Sequence, residues 1–257
     1  MITPEFTIRS FTDDQYILDK VFYANNYRLK KLPEKQAVVL DIGAHAGFFS
    51  LLCLMRGADK VYSVEPFSEN YRVLSQNLEA FSDKSTSLKM GIYTETKFGS
   101  LEYPTSENNF FYLSSVGFHN GSHDQPSDLT YFVKLDDLLN SIPEKEISLL
   151  KINIGYADVD ILLSSDRIDK CNFVCGETAV SEDKLGQLIA HMEERGFKDS
   201  FVAESKEKEG SKLILFAKEK CDELFNMIVA GSPEDIANEE EMASHMTQIP
   251  PEMAEAP

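Results

Sequence analysis

Residues 41–47 read Asp41-Ile42-Gly43-Ala44-His45-Ala46-Gly47, a carboxylate followed at once by a turn containing two glycines. Glycine takes left-handed backbone conformations without steric cost, so such a turn lets a ligand come close to the main chain. Where the turn opens a helix, the unpaired N–H groups of the first helical residues add partial positive charge. A second carboxylate, Glu65, stands just before Pro66. At the end of a strand an acid can accept hydrogen bonds from both hydroxyls of a ribose. Together these residues describe a site for a nucleotide-type cofactor. Asp41 narrows the choice. The pyrophosphate of a dinucleotide would lie over this turn and be repelled by the carboxylate, whereas the methionine ammonium of S-adenosylmethionine would be attracted. The spacing also departs from G-x-G-x-x-G, the dinucleotide fingerprint. S-adenosylmethionine is therefore the expected cofactor, ahead of NAD.

The elements that must position these residues alternate between strand-like and helix-like periods, the mark of a parallel sheet covered on both faces. Residues 37–42, AVVLDI, are apolar apart from Asp41 and suit a central buried strand. Phe48, Leu51, Leu52 and Met55 then recur at helical spacing, and Arg56 and Gly57 close that helix. A strand over Lys60 to Val64 brings Glu65 to its end, and Ser68 caps a helix with Leu74, Leu78 and Phe81 on its buried stripe. A third strand is expected over Ser87 to Ile92. From Tyr93 to Asp128 the pattern dissolves, a length that predicts short strands or a lid. Strands follow at Thr130 to Leu135, Ser148 to Ile154 and Asn172 to Cys175, with helices between them and one after, ended by Gly196. Ser200 to Ala203 and Lys212 to Ala217 read as an antiparallel hairpin.

Four segments, VVLDIGAHAGFFSLL, VYSVEPFSENYRVLSQNL, VKLDDLL and LLKINIGYADVDIL, occur in this order. Over roughly residues 37–180 they resemble the FkbM family of methyltransferases. The resemblance implies a class I methyltransferase fold, an α/β, doubly wound, mostly parallel sheet of seven strands, Rossmann-like, with the last strand antiparallel. It implies methyl transfer from S-adenosylmethionine, usually to an oxygen of a sugar or other small metabolite. Carried over residue by residue, the cofactor contacts fall on Asp41, Gly43, Ala44, His45, Gly47 and Glu65, with Phe67 beside the adenosine.

The fourth segment departs from the family, which reads K-I-D-V-E-G-A-E where this chain has Lys151-Ile152-Asn153-Ile154-Gly155-Tyr156-Ala157-Asp158. An acid at this strand end would face the sulfonium methyl. Asn153 cannot take a proton at neutral pH, and Gly155 removes a second acid, leaving Asp158. Three readings follow. Asn153 orients an acceptor, with Asp136 or a loop histidine as base and Asp158 as a further catalytic candidate. Alternatively the chain methylates nitrogen, since Asn153 and Tyr156 stand three apart. Or it binds cofactor without turnover, as a regulatory or structural subunit.

The formal net charge of −18 argues against polyanionic partners, which need clustered Lys and Arg. Nucleic acid and anionic membranes are thus expected to be excluded, and a small-molecule or carbohydrate acceptor is favoured. The N-terminus carries charges early and no run reaches the ~20 apolar residues that span a bilayer, so a cytoplasmic location is expected. Cys53, Cys171, Cys175 and Cys221 fall at no zinc or disulfide spacing, and no metal is expected. His119 and His123, beside Asp124, have metal-like spacing within a loop composition; their functional alternative is general base. Glu177 ends a strand on the cofactor edge and is a further acceptor-side residue. The domain plan is an N-terminal extension packed on the domain (1–36), a methyltransferase domain (37–218) and an acidic tail (219–257). The tail is too poor in apolar residues to repay ordering and is open to a protein partner.

Overall fold

Successive residues of a strand point to opposite faces, so a strand apolar at every position must be covered on both sides. In the computed structural model, which describes residues 6–10, 12–33, 36–102, 127–155, 157–205 and 210–226, β1 (Val38–Ile42) is buried at every position. Val39 joins one core, while Val38, Leu40 and Ile42 join the other. β7 (Ile147–Ile152) divides in the same way, with Leu149 on one side and Leu150 and Ile152 on the other.

These two strands pair in parallel at the centre of a seven-stranded sheet. β2 (Lys60–Val64) and β3 (Ser85–Leu88) extend it on one side. On the other side lie β8 (Cys171–Ala179), β10 (Ser211–Ala217) and, at the edge, β9 (Asp199–Glu204). The order is β3-β2-β1-β7-β8-β10-β9, with β10 antiparallel to both neighbours. α2 (Phe48–Met55) and α3 (Ser68–Asn77) cover one face, through Phe48, Leu51, Leu52 and Leu74. α4 (Leu135–Ser141), α5 (Asp158–Leu163) and α6 (Glu182–Glu194) cover the other, through Leu138, Ile161, Leu185 and Leu188. Ser181 caps α6 by accepting from the Lys184 N–H.

Two expectations about element bounds are corrected. The strand expected over Ser87 to Ile92 is two strands: β3 stops at Leu88, and Gly91–Tyr93 forms β4 of a second sheet. That sheet has the order β4-β6-β5, with β5 at Lys97–Glu102 and β6 at Ser127–Lys134. A turn at Lys89 and Met90, closed by the Met90 N–H on the Leu88 carbonyl (3.1 Å), separates the two strands. The core also continues past residue 218. Leu224 and Phe225 are buried, and Phe225 bridges to Leu29 of the N-terminal segment. That segment contributes Leu18, Val21, Tyr27 and Leu29 to the core beside Phe48 and Phe49. It is anchored to α3 by the Thr7 N–H on Asn77 (2.7 Å) and by Arg9 on Asn70 (2.8 Å). α1 (Asp14–Leu18) runs on into a π-helical turn at Asp19–Tyr23.

The turn after β1 meets β7 at very short range. Gly43 has φ +74°, and a Cβ there would lie 2.2 Å from the Asn153 carbonyl oxygen. Gly47 has φ +84° and opens α2 against Leu74, whose Cδ1 would be 2.6 Å from a Cβ. Beyond β7, Asp158 starts α5 and turns back to accept the Ile154 N–H at 2.8 Å. It is fully buried, and among the described residues its second oxygen has no hydrogen-bond partner. Burial pushes its carboxyl up to about 7, although the Ile154 N–H and the Lys151 ammonium pull the other way.

Gly43→Ala should destabilise the chain by at least about 2 kcal/mol, since it combines a left-handed φ with a backbone clash; chemical denaturation measures it. Asp158 gives a pH signature. Between its unfolded value of 3.8 and its folded value of about 7, the native state holds a proton that the unfolded state has lost. Stability from this group is therefore fully present below 3.8 and falls by about 1.4 kcal/mol per pH unit up to about 7. Asp158→Asn should flatten that slope in denaturation curves taken from pH 4 to 8. An unchanged slope would show that Asp158 is ionised throughout.

Candidate cofactor site

The C-terminal ends of β2, β1, β7 and β8 open into a cavity of about 490 Å³, within the usual range for cofactor pockets. Val64, Met90, Ile92, Leu101 and Phe132 give it an apolar end toward the small sheet. Asn153, Glu177 and Thr178 line it at the β7 and β8 end. Tyr16, Ile17, Lys20, Val21, Asn26 and Tyr27 of the N-terminal segment complete the wall. Gly43, Ala44, His45 and Glu65 lie between, so four of the expected cofactor residues share one surface.

Glu65 is held rigidly. Its two oxygens accept the His45 N–H at 2.9 Å and the Phe67 N–H at 3.0 Å, with Asn70 Nδ2 at 3.4 Å. It is nearly buried, and burial raises its carboxyl above the ordinary range while these donors pull it back. A carboxylate has about four acceptor positions, so lone pairs remain for a diol in the cavity. His45 takes a left-handed φ of 53°. Burial pushes its imidazole down to about 3, although Asp14, 3.7 Å from Nε2, pulls the other way. His45 is therefore neutral at pH 7 and brings no cation to the cavity.

Asp41 is not where the sequence argument placed it. It is fully buried, does not line the cavity, and pairs with Lys151 Nζ at 2.9 Å while accepting from Ser50 Oγ at 2.7 Å. Its carboxylate is spent inside the sheet and is not offered to a methionine ammonium. Burial opposes the charge on Lys151, but the Asp41 carboxylate outweighs it and holds the ammonium above its ordinary value. Lys151 also donates to the Gly43 carbonyl at 2.7 Å. Gly47 and Phe67 lie outside the cavity wall too. Gly47 serves the packing of α2 on α3, and Phe67 is buried at the start of α3.

The expected catalytic residues separate. Asn153 lines the cavity, with Nδ2 donating to the Tyr27 hydroxyl at 2.8 Å. Asp158 lies behind the wall, where it fixes the Ile154 backbone. Asp136 is remote: it accepts from Ser165 Oγ (2.5 Å) and from the N–H groups of Asp166 and Arg167, anchoring a loop to α4. It is withdrawn as a base. His119, His123 and Tyr156 lie outside the described residues. Glu177 does line the cavity, 3.4 Å from Lys20 Nζ and hydrogen-bonded by Ser205. Sequence reasoning missed Lys151 and Tyr27. A lysine inside the run LLKINI is a signal, because a buried ammonium demands a carboxylate. Tyr27 gave none.

Residues 41–198 match the family model described as the methyltransferase FkbM domain. Among curated protein sequences none matches the chain. The fold is similar to that of methyltransferase FkbM from Methylobacillus flagellatus KT, with TM-score 0.51 and 15% identity over 81% of this chain. The match spans 55% of that protein's own length. A protein of Pyrococcus horikoshii described as a candidate RNA methyltransferase aligns with TM-score 0.42 and 14% identity, over 82% of this chain and 90% of its own. The N-terminal domain of human METTL16, solved with S-adenosylhomocysteine, gives 0.45 and 12%, over 85% and 75%. With a candidate RNA methyltransferase among the similar structures, the expectation that nucleic acid is excluded as a partner is corrected. A charge summed over the chain, much of it in the acidic tail, does not describe the surface around the cavity. Among the described residues no helix is long and apolar enough to cross a membrane. The family match covers more than half of the sequence, and the chain belongs to the FkbM family of S-adenosylmethionine-dependent methyltransferases.

Proposed function

We propose that the chain transfers a methyl group to a hydroxyl oxygen of a small molecule or sugar, with the cofactor lying across the ends of β2, β1 and β7. The observation that carries this reading is Glu65, a nearly buried carboxylate on the cavity wall whose orientation is fixed by two backbone N–H groups. The residues present fit the group. Glu65 suits the ribose diol, the apolar end formed by Val64, Met90 and Ile92 suits the adenine, and Gly43 and Ala44 form the stretch of wall between. S-adenosylmethionine, when bound, supplies an electrophilic methyl on sulfur.

The chain's own residues orient the acceptor and take its proton. Asn153, at the β7 end, presents an amide and no charge, so it serves as an orienting group. Among the described residues the carboxylates on the cavity wall are Glu65 and, at the β8 end, Glu177. In this reading the acceptor oxygen would receive the methyl that the bound cofactor supplies, with the thioether as leaving group, and Glu177 takes the hydroxyl proton. Lys20, 3.4 Å from Glu177, balances the charge of the carboxylate before it takes the proton.

Glu65→Ala should weaken binding of S-adenosylmethionine at least tenfold, or ~1.4 kcal/mol, in a calorimetric titration. Unchanged affinity in a folded variant would falsify the site. For the acceptor, methyl-labelled cofactor can be incubated with hydroxylated sugars, small amines and short RNAs. Label in the sugars supports the proposal, and label in amines or RNA instead overturns it. With a labelled sugar in hand, Glu177→Gln should lower kcat by about a hundredfold or more with cofactor affinity intact. A normal kcat would remove Glu177 as proton acceptor.

A further inference from the structure

Tyr27 comes from the N-terminal segment, outside the stretch that matches the family, yet it stands at the heart of the cavity. It is buried, its ring meets Phe49 edge-on at 5.1 Å, and the Lys151 ammonium lies 5.7 Å from its centroid. Its oxygen accepts a hydrogen bond from Asn153 Nδ2 at 2.8 Å. A phenol carries one proton. With Asn153 donating, that proton is not used between the two residues, and among the described residues no group accepts it. Burial pushes the phenol up to about 12, against the pull of Lys151 and Asn153, so it keeps its proton at neutral pH.

The polarity of this pair follows from the residue at 153. A carboxylate there could only accept, and would draw the Tyr27 proton toward itself. An amide can do either, and here its Nδ2 faces the Tyr27 oxygen, so Asn153 donates and leaves the Tyr27 O–H for another acceptor. The donor stands beside Phe49 of α2 and the Lys151 ammonium that holds the Gly43 carbonyl, on the same cavity wall as Glu65; a cofactor whose ribose sat at Glu65 would bring its amino-acid end to this turn. The ammonium nearby, that of Lys151, is committed to Asp41 and to the Gly43 carbonyl. A carboxylate brought into this part of the cavity would need an O–H or N–H donor.

We infer that Tyr27, held by Asn153, is a binding residue for the α-carboxylate of the cofactor's amino-acid moiety, so that the replacement of the family acid at 153 converts an acceptor pair into a donor. This rests on the cofactor occupying the cavity as proposed above. Asn153 is then a positioning residue, acting through Tyr27.

The test is a cycle of binding measurements on the full chain, by calorimetry, with S-adenosylhomocysteine and with its decarboxylated analogue, which keeps the ammonium and the adenosine. Wild type should bind the complete ligand about tenfold more tightly than the analogue, and Tyr27→Phe should abolish that difference. Asn153→Asp, whose carboxylate accepts the Tyr27 O–H hydrogen bond, should do the same without deleting the ring. Equal losses for both ligands in Tyr27→Phe would mean a packing role and overturn the inference, as would a preference that survives in both variants. Failure of wild type to bind either ligand is a different result: it overturns the cofactor assignment itself, and the inference with it.

Discussion

Asp41 and Lys151 are register partners on β1 and β7, and their side chains meet at 2.9 Å with 0% and 5% exposure. Bringing two charges out of water is costly, and the pair is tolerated only where geometry is close and the remaining hydrogen-bonding positions are filled. Both conditions are met. Ser50 fills the second oxygen of Asp41 and in turn pairs with Ser63 of β2 at 2.7 Å. Lys151 fixes the Gly43 carbonyl at 2.7 Å. The start of the cofactor turn is thus set from inside the sheet, before any ligand enters. From this point the main chain has little freedom: Gly43 lies directly against the Asn153 carbonyl, and its N–H and that of Ala44 both donate to Val64 at 3.0 Å. The Lys151 ammonium, facing the rings of Tyr27 and Phe49, links the same pair to the N-terminal segment.

The parallel sheet was legible because its strands are apolar on both faces, a pattern that AVVLDI and the run before Asn153 carry openly. The helices were legible because Phe48, Leu51 and Leu52, or Leu185, Leu188 and Met192, repeat with the helical period and are buried. Glu65 was found by its place at a strand end. Asp41 was found for the wrong reason, since local spacing cannot reveal that Lys151, distant in sequence, neutralises it. Asp136 failed as a site residue because an acid beginning a short helix also serves loops, here the turn at Ser165 to Arg167. The small second sheet was hidden because β4 has three residues and pairs with β6, far along the chain. Tyr27 was invisible for a similar reason: nothing around it in sequence marks it, and its partners are on β7 and α2.

The altered fourth segment makes physical sense against this background. With Lys151 already balanced by Asp41, a carboxylate at 153 would add a charge beside a pair that is already neutral. The amide of Asn153 keeps that end of the cavity neutral, and the hydrogen bond to Tyr27 satisfies its donor. Asp158, the acid that remains, is enclosed behind Ile154 and shapes the turn from there.

The bridge between Leu29 and Phe225 gives the two ends of the fold a shared mechanical fate. The Lys30 N–H donates to the Leu224 carbonyl at 2.7 Å, and the Asn226 N–H to the Arg28 carbonyl at 2.7 Å. Tyr27 immediately precedes this short ladder, so the wall of the cavity is stapled to residues that lie beyond the family's matched span. The position of Tyr27 on the cavity wall is therefore held from both ends of the described chain at once.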